Sequence, residues 1–219
     1  MEALIPLTML PALRFTLQDV ERAADIWNAN CGPVSVAAIS GLTLEELRPH
    51  LGDFEKKRYT NPTLMWEILR NAGITYHRPS PSVCEARIPW PSHGLARVQW
   101  EGPWTAPRVP IAARYRHTHW VASWKPHGRE HLIFDINCMC VGGWVSLSEW
   151  SRNVVPWLLR ECEPKASGKW HLTHVVEIER APVHSDLWDP HGDVERDWAG
   201  CRGDAEDLPV LRGGKRSVV

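Results

Sequence analysis

The chain has 219 residues, of which 43% are hydrophobic and 23% are charged, so it can bury the core of a single domain. Its 25 lysines and arginines nearly balance 26 aspartates and glutamates, which argues against the broad positive field of nucleic-acid-binding proteins. Pro, Arg or His interrupts every long apolar run before it reaches the roughly 18 residues of a membrane span. We therefore expect no nucleic acid and no membrane among the partners.

Residues 1–19 are predicted to be an N-terminal extension. They do not resemble a targeting segment, because Glu2 replaces the basic start and Pro6 and Pro11 interrupt the apolar stretch. Six irregularly spaced cysteines favour reduced thiols in a cytoplasmic protein over a fold held together by disulfides. The 13 tryptophans are interpreted mainly as core residues, with a minority lining a groove.

The first half of the chain predicts three short helices between clear start and stop signals. The run after Cys31 is apolar on nearly every face and carries Pro33 in its first turn, which is typical of a buried helix. Thr43 and Glu46 have the spacing of a capping box and predict the start of the next helix. The predicted helices cover residues 31–41, 43–52 and 61–73.

The second half changes to short segments with strand character, separated by Pro and Gly. Strands are predicted at 94–100, 119–124, 131–136, 144–147 and 170–178, and 109–115 is predicted to be a strand or an extended lead. One helix is predicted near 148–159. The order of the elements, with helices first and a mostly antiparallel sheet afterwards, predicts the α+β class. The folded domain is predicted to cover residues 20–182. Residues 183–219 predict an irregular or disordered tail.

Cys31 has the position of a nucleophile. It stands directly before an apolar helix, where free backbone N–H groups and the helix dipole stabilise a thiolate. His119 begins one predicted strand and Asp135 ends the next. In an antiparallel pair those two ends lie side by side, so Asp135 can hold one imidazole nitrogen while the other faces the sulfur.

These residues resemble a known enzyme family. Asn30-Cys31-Gly32-Pro33, then His119-Trp120-Val121, then Phe134-Asp135 are similar to the motifs of papain-like cysteine peptidases, most closely their bacteriocin-processing (C39-like) branch. The resemblance covers roughly residues 20–180. It implies a papain-like fold, with N-terminal helices packed on the sheet.

For the site, the resemblance implies that Cys31 is the nucleophile, His119 the general base and then acid, and Asp135 the residue that orients the imidazole. Two alternatives stay open. His117 lies on the same strand face as His119 and is the rival base, and Asn137 is the rival third member, since many papain-like enzymes use Asn there.

The chain departs from the family at the oxyanion hole. Family members usually carry Gln six residues before the nucleophile, whereas this chain has Asp25, which donates no hydrogen bond when ionised. Asn28 and Asn30 are nearby amide donors, and the Cys31 backbone N–H is also available. We predict Asn28 as the side-chain donor.

No cofactor or metal is predicted. His171 and His174 are expected on opposite faces of one strand, and Cys138-Met139-Cys140 lacks the spacing of a zinc site. No phosphate-loop or dinucleotide glycine pattern occurs.

The predicted function is a cysteine peptidase-like hydrolase that cleaves an amide or isopeptide bond in a peptide or protein through an acyl-enzyme. An acyltransferase or a deamidase would use the same three residues. A second hypothesis, motivated by Asp25, is a binding or assembly module that keeps the fold with weak activity or none.

Overall fold

A computed structural model of the chain describes residues 11–78 and 88–179. The predicted tail at 183–219 and the first ten residues of the predicted extension lie outside the described residues. Within the described ranges, no helix has both the length and the apolar character needed to cross a bilayer.

The N-terminal part is helical, as predicted, but its helices are shorter than expected. The predicted helix 43–52 ends as an α-helix at Leu47 and continues as a single 3-10 turn, Arg48–His50, in which Pro49 has no N–H to donate. The helices are α1 (Leu17–Trp27), α2 (Cys31–Ser40), α3 (Leu44–Leu47), α4 (Phe54–Lys57) and α5 (Pro62–Asn71).

Helix α1 crosses the predicted domain boundary between residues 19 and 20. The Thr16 hydroxyl accepts from the Asp19 N–H and the Asp19 carboxylate accepts from the Thr16 N–H, which forms a complete capping box. Phe15 and Val20 are buried in the core. The folded unit therefore includes residues that the prediction assigned to the extension.

The strands lie close to their predicted positions. They are β1 (Tyr76–His77), β2 (His93–Trp100), β3 (Thr118–Trp124), β4 (Leu132–Phe134), β5 (Trp144–Ser146) and β6 (Trp170–Ile178). The two-residue strand β1 was not predicted. These six strands form one sheet in the order β1-β6-β2-β3-β4-β5, and every neighbouring pair is antiparallel. The α+β prediction is confirmed.

Two predictions for the second half are wrong in detail. Residues 109–115 are not a strand, because Pro110 begins the short helix α6 (Ile111–Arg114), in which two alanines favour helix. The single helix expected near 148–159 is α7 (Leu147–Glu149), a π-helical turn (Trp150–Val154) and α8 (Val155–Glu161). Pro156 lacks the N–H that an unbroken helix would need at that point.

The sheet buries both faces. Helices α1–α5 cover one face, here called the helical face, where Leu95, Trp120 and Val176 join the larger hydrophobic cluster. The other face packs Ala96, Val98 and neighbouring apolar side chains against the π-helical turn and α8. Helix α2 contacts β3 and is buried from Gly32 through Ile39, as its all-round apolar sequence predicts.

A β-bulge in β6 determines which face of the sheet His171 and His174 lie on. Arg97 on β2 pairs with His174 on β6, whereas the next residue, Val98, pairs with Leu172, so Thr173 is the extra residue. His171 pairs with Gln99, which is on the same face of β2 as Arg97. The bulge therefore places His171 and His174 on one face, and the prediction that they point to opposite faces is wrong.

The tryptophans mainly build the core, in line with their interpretation from composition. Among the described residues, the buried tryptophans are Trp27, Trp100, Trp120, Trp144 and Trp150. The cysteine prediction is corrected at one position, because Cys140 is disulfide-bonded, whereas Cys31, Cys138 and Cys162 are free thiols.

Candidate active site

Cys31 is the first residue of α2 and is half-buried. Asn30 caps the helix, because its Oδ1 accepts from the Gly32 N–H at 3.2 Å while its Nδ2 donates to the Arg58 carbonyl at 3.2 Å. A Cβ at Gly32 would lie 2.3 Å from Thr60 Oγ1, so only glycine allows this close packing. The start of α2 is thus clamped against the segment around residues 58–60.

Strand β3 passes beside the sulfur. The Trp120 backbone N–H donates to Cys31 Sγ at 3.5 Å, and the Trp120 indole donates to the Thr60 carbonyl at 2.8 Å. Ser35 Oγ donates to the Trp120 carbonyl at 3.2 Å, which ties α2 to the same strand. These bonds fix the position of the sulfur relative to His119, the residue before Trp120.

His119 and Asp135 lie together, as the antiparallel arrangement predicts. His119 Nε2 is 3.0 Å from Asp135 Oδ2, and both residues are buried. The Nε2–H direction is poorly aligned with the carboxylate oxygen, so charge attraction is the main part of this contact. The same imidazole also lies close enough to the Cys31 side chain for each group to shift the pKa of the other. Nδ1 is the ring nitrogen left for the sulfur.

Asp135 is held by more groups than His119 alone. Its Oδ1 accepts from the Asn137 backbone N–H at 2.9 Å and from Asn137 Nδ2 at 2.8 Å. Its Oδ2 also accepts from the Trp150 indole at 2.9 Å. Burial would raise the pKa of the Asp135 carboxyl, but the His119 charge and these hydrogen bonds outweigh burial and lower that pKa. Asp135 is therefore an anion facing His119.

Cys31 and His119 each shift the other's pKa in the direction that favours a thiolate and an imidazolium. Burial alone would raise the pKa of the Cys31 thiol, but the charge and hydrogen bond of His119, together with the Trp120 N–H, lower it. Burial alone would lower the pKa of His119, but the charges of Asp135 and Cys31 raise it well above its ordinary value. This ion pair is the form in which a cysteine is nucleophilic at neutral pH.

The structure gives other contacts to the two rival residues, His117 and Asn137. His117 Nδ1 is 2.7 Å from Glu163 Oε2, and its ring lies 3.9 Å from the Trp104 ring, between centroids. His117 is thus engaged away from the Cys31–Asp135 array. Asn137 contacts the carboxylate of Asp135 and leaves Asp135 as the group next to His119.

The oxyanion donor predicted at Asn28 stays a prediction, and the structure gives the surroundings of each candidate. Asn28 is exposed at the end of α1 in the left-handed conformation, with φ of 61°, and its side chain has no hydrogen-bond partner among the described residues. Asn30, the other amide, is committed to capping α2. Asp25 is an exposed residue of α1. The first N–H groups of α2, including that of Cys31, have no partner within the helix.

Trp150 is a site residue that sequence reasoning did not identify. Its indole donates to Asp135, and its ring stacks with Trp100, whose ring in turn stacks with His119. The only sequence signal was the high tryptophan content, which does not indicate which ring reaches a carboxylate. The connection exists because the π-helical turn carries Trp150 under the sheet.

Within the described residues, no group of three or more His, Cys, Asp or Glu side chains has the arrangement of a metal site. Comparisons of the sequence with known protein-family models and with curated proteins give no match. The site is therefore interpreted from its own geometry.

Proposed function

We propose that this chain is a thiol hydrolase that cleaves an amide or isopeptide bond in a peptide or protein. The observation that carries the proposal is the array in which one imidazole lies 3.0 Å from the Asp135 carboxylate and close enough to the Cys31 sulfur for the two groups to shift each other's pKa. Such an array lowers the pKa of a thiol and orients a proton donor at the same time.

In the proposed reaction, the Cys31 thiolate attacks the carbonyl carbon, so that a C–S bond forms and the carbonyl oxygen becomes an oxyanion. His119 then gives its proton to the leaving nitrogen, the C–N bond breaks, and an amine departs from a thioester. Water next attacks the thioester while neutral His119 accepts its proton. The carboxylic acid leaves and the thiolate and imidazolium are restored.

The oxyanion would be stabilised by the Cys31 backbone N–H and the Asn28 amide. The N–H lies at the free start of α2, where the helix dipole adds to the stabilisation. The exposed Asn28 amide has no competing partner among the described residues. Asp25, on the same helix, does not serve as a donor unless it is protonated.

We further propose that the fold is papain-like and that its nearest branch is the C39-like peptidases. The motif residues support this, and so does a nucleophile helix packed against a strand that carries the histidine. A helix that presents its N-terminal sulfur to the start of a sheet strand is the arrangement that the resemblance implies.

Thiol labelling tests the reactive pair. We expect iodoacetamide to modify Cys31 stoichiometrically near pH 7, and Cys31→Ala to abolish this fast phase. Cys162 is the matched control. The residue as a whole is more exposed than Cys31, but the partial burial of its sulfur is the main cause that raises its pKa. Its substitution to Ala should leave the fast phase intact. Slow labelling of Cys31 that requires denaturant would contradict the proposal.

The identity of the base is tested in the same assay. His119→Ala removes the cation that lowers the pKa of Cys31, so fast labelling should move to higher pH. His117→Ala is the control, since His117 is paired with Glu163. A shift caused by His117→Ala instead would transfer the role of base to that residue.

Turnover separates a hydrolase from a non-catalytic module, the alternative favoured by the Asp carboxylate at position 25. With p-nitrophenyl acetate, a hydrolase releases nitrophenol in a burst followed by a steady rate, and mass spectrometry detects a transient acetyl group on Cys31. A stable acetyl adduct without a steady rate would favour the module. Acceleration by an added amine would favour an acyltransferase.

A further inference from the structure

Arg97 is a buried cation that forms no ion pair with a carboxylate among the described residues. It lies in the middle of β2 and is 5% exposed. Its guanidinium donates one long hydrogen bond, from Nη2 to the Tyr115 carbonyl at 3.4 Å, and lies 5.5 Å from the centre of the Tyr115 ring. Its Nε has no partner, and no carboxylate in the described ranges forms an ion pair with it.

Arg97 is next to the nucleophile. It stands on the helical face of the sheet and pairs directly with Trp120, the residue whose backbone N–H donates to Cys31 Sγ. The side chains of Arg97 and Cys31 also interact electrostatically. Burial lowers the pKa of Arg97, and attraction to Cys31 opposes this lowering. An anion held by Arg97 would therefore lie within electrostatic range of Cys31.

Other buried side-chain nitrogens that have no hydrogen-bond partner among the described residues lie near Arg97. Gln99 shares its strand face and is 3% exposed, and its Nε2 has no partner. His174 pairs with Arg97 across the bulge, and its Nδ1 is buried without a partner. Trp66 on α5 packs its ring 6.3 Å from the His174 ring and leaves its indole N–H unpartnered.

This set is unusual because every member donates or can donate. Buried polar groups are ordinarily hydrogen-bonded, and buried charges are ordinarily paired. Glu101, the acid on the same strand face, is already paired with His171 at 3.1 Å. A group rich in acceptors and carrying negative charge would satisfy the donors, and a carboxylate fits a guanidinium fork in a bidentate geometry.

We propose that Arg97, with Gln99, His174 and Trp66, forms a subsite that binds a carboxylate of the substrate next to Cys31. The subsite deepens the proposed thiol hydrolase function and rests on it, because it assigns the substrate class: peptides with an acidic side chain or a free C-terminal carboxylate near the scissile bond. The bulge at Thr173 serves this subsite, since it turns His174 toward Arg97.

Two alkylating reagents of similar size test the subsite without knowledge of the natural substrate. Iodoacetate carries a carboxylate and iodoacetamide is neutral, and in both cases the thiolate forms an S–C bond as iodide leaves. The ratio of their rates at Cys31 cancels any change in thiol pKa. We expect Arg97→Met to lower the iodoacetate-to-iodoacetamide ratio by about tenfold, which corresponds to loss of one charge-assisted contact.

Arg116→Met is the matched control, because it removes the same charge from an exposed position just before β3. It should leave the ratio at the wild-type value. An equal fall in both variants would mean that only the overall field is measured and would overturn the subsite. An unchanged ratio in folded Arg97→Met would overturn it as well.

Protection of the wild-type protein keeps the proposal testable if Arg97→Met does not fold, and it separates the two sources of the carboxylate. Acetyl-Gly-Glu-Gly-amide carries a side-chain carboxylate, acetyl-Gly-Gln-Gly carries a terminal one, and acetyl-Gly-Gln-Gly-amide carries none. We expect one charged peptide to slow iodoacetamide labelling of Cys31 more than the neutral peptide. Equal protection by all three would overturn the subsite while leaving the hydrolase intact.

A wild-type protein in which neither reagent labels Cys31 rapidly would overturn the hydrolase proposal and the subsite together. Rapid labelling by iodoacetamide with no effect of Arg97 would overturn the subsite alone. The two failures are therefore distinguishable in one set of measurements.

Discussion

At the scale of single residues, the chemistry depends on how Asp135 is kept ionised inside the protein. A buried carboxylate without partners would take up a proton instead of remaining charged. Here His119, Trp150 and Asn137 supply the charge and the hydrogen bonds that prevent this. The carboxylate then raises the pKa of His119, and the imidazole in turn lowers the pKa of Cys31.

Replacing Trp150 with Phe tests that chain of effects. Loss of the indole donor leaves Asp135 Oδ2 less satisfied, which should cost about 1–3 kcal/mol of stability. Without this bond Asp135 is held less firmly beside His119, so the pKa of His119 should fall and the pH profile of Cys31 labelling should shift to higher pH.

Trp144→Phe is the control for the previous variant. Trp144 is equally buried, but its indole N–H has no partner, so the substitution removes similar volume without removing a hydrogen bond. It should leave the labelling profile in place. A shift of similar size in both variants would show that packing, not the bond to Asp135, sets the profile.

The stability conferred by Asp135 should depend on pH. Its folded-state pKa is lowered, so its contribution is present above the unfolded value of about 3.9 and is lost as the pH falls through the folded value. Asp135→Asn should therefore cost about 3 kcal/mol at pH 7, as for breaking a buried ion pair. Urea unfolding at pH 7 and at pH 3 measures the two costs, and a cost that does not shrink at pH 3 would contradict the assignment.

At the scale of elements, the capping of α2 determines where the Cys31 sulfur lies. Asn30 satisfies the Gly32 N–H and simultaneously binds the Arg58 carbonyl, so one side chain both ends the preceding loop and places the nucleophile. Because α2 is buried along its length, its capping residue Asn30 sets the position of its first turn.

Asn30→Ala should lower the free energy of unfolding by about 1 kcal/mol and also slow the labelling of Cys31, because the helix start loses its anchor. Asn61→Ala is the matched control, since Asn61 caps α5 through Leu64 N. It should cost similar stability without changing the labelling rate. Chemical denaturation and the iodoacetamide assay together distinguish the two effects.

At the scale of the whole molecule, strand β2 joins the site to the rest of the sheet. It lies between β3, which carries His119, and β6, which carries His174. The close approach of β6 requires a glycine at one position, because a Cβ at Gly94 would lie 1.8 Å from the Val176 carbonyl oxygen. Leu95, on the helical face of β2, joins the larger hydrophobic cluster, and Ala96 and Val98, on the opposite face, join the other cluster.

Gly94→Ala should therefore separate β2 from β6 locally and destabilise the whole domain by about 3 kcal/mol or more, since a backbone clash has no flexible side chain to yield. The melting temperature measures the effect. A change within a few tenths of a kcal/mol would show that the β2–β6 pairing adjusts easily and would contradict the requirement for glycine at position 94.

The sequence by itself determined the features that depend on neighbours in the chain. The apolar run after Cys31, the capping residues and the short segments of strand character between Pro and Gly are local patterns, and the α+β class follows from their order. The expected closeness of His119 and Asp135 also follows from local information, because antiparallel strands joined by a short loop bring their ends together.

Only the tertiary structure decided the features that depend on contacts between distant segments. A two-residue strand such as β1 has too few residues to show a period, and the bulge at Thr173 depends on how β6 pairs with β2. Trp150 reaches Asp135, and Arg97 comes to lie beside Cys31, because sheet packing joins segments far apart in the chain. Side-chain partners of this kind are set by packing free energy summed over the whole core, which no local pattern encodes.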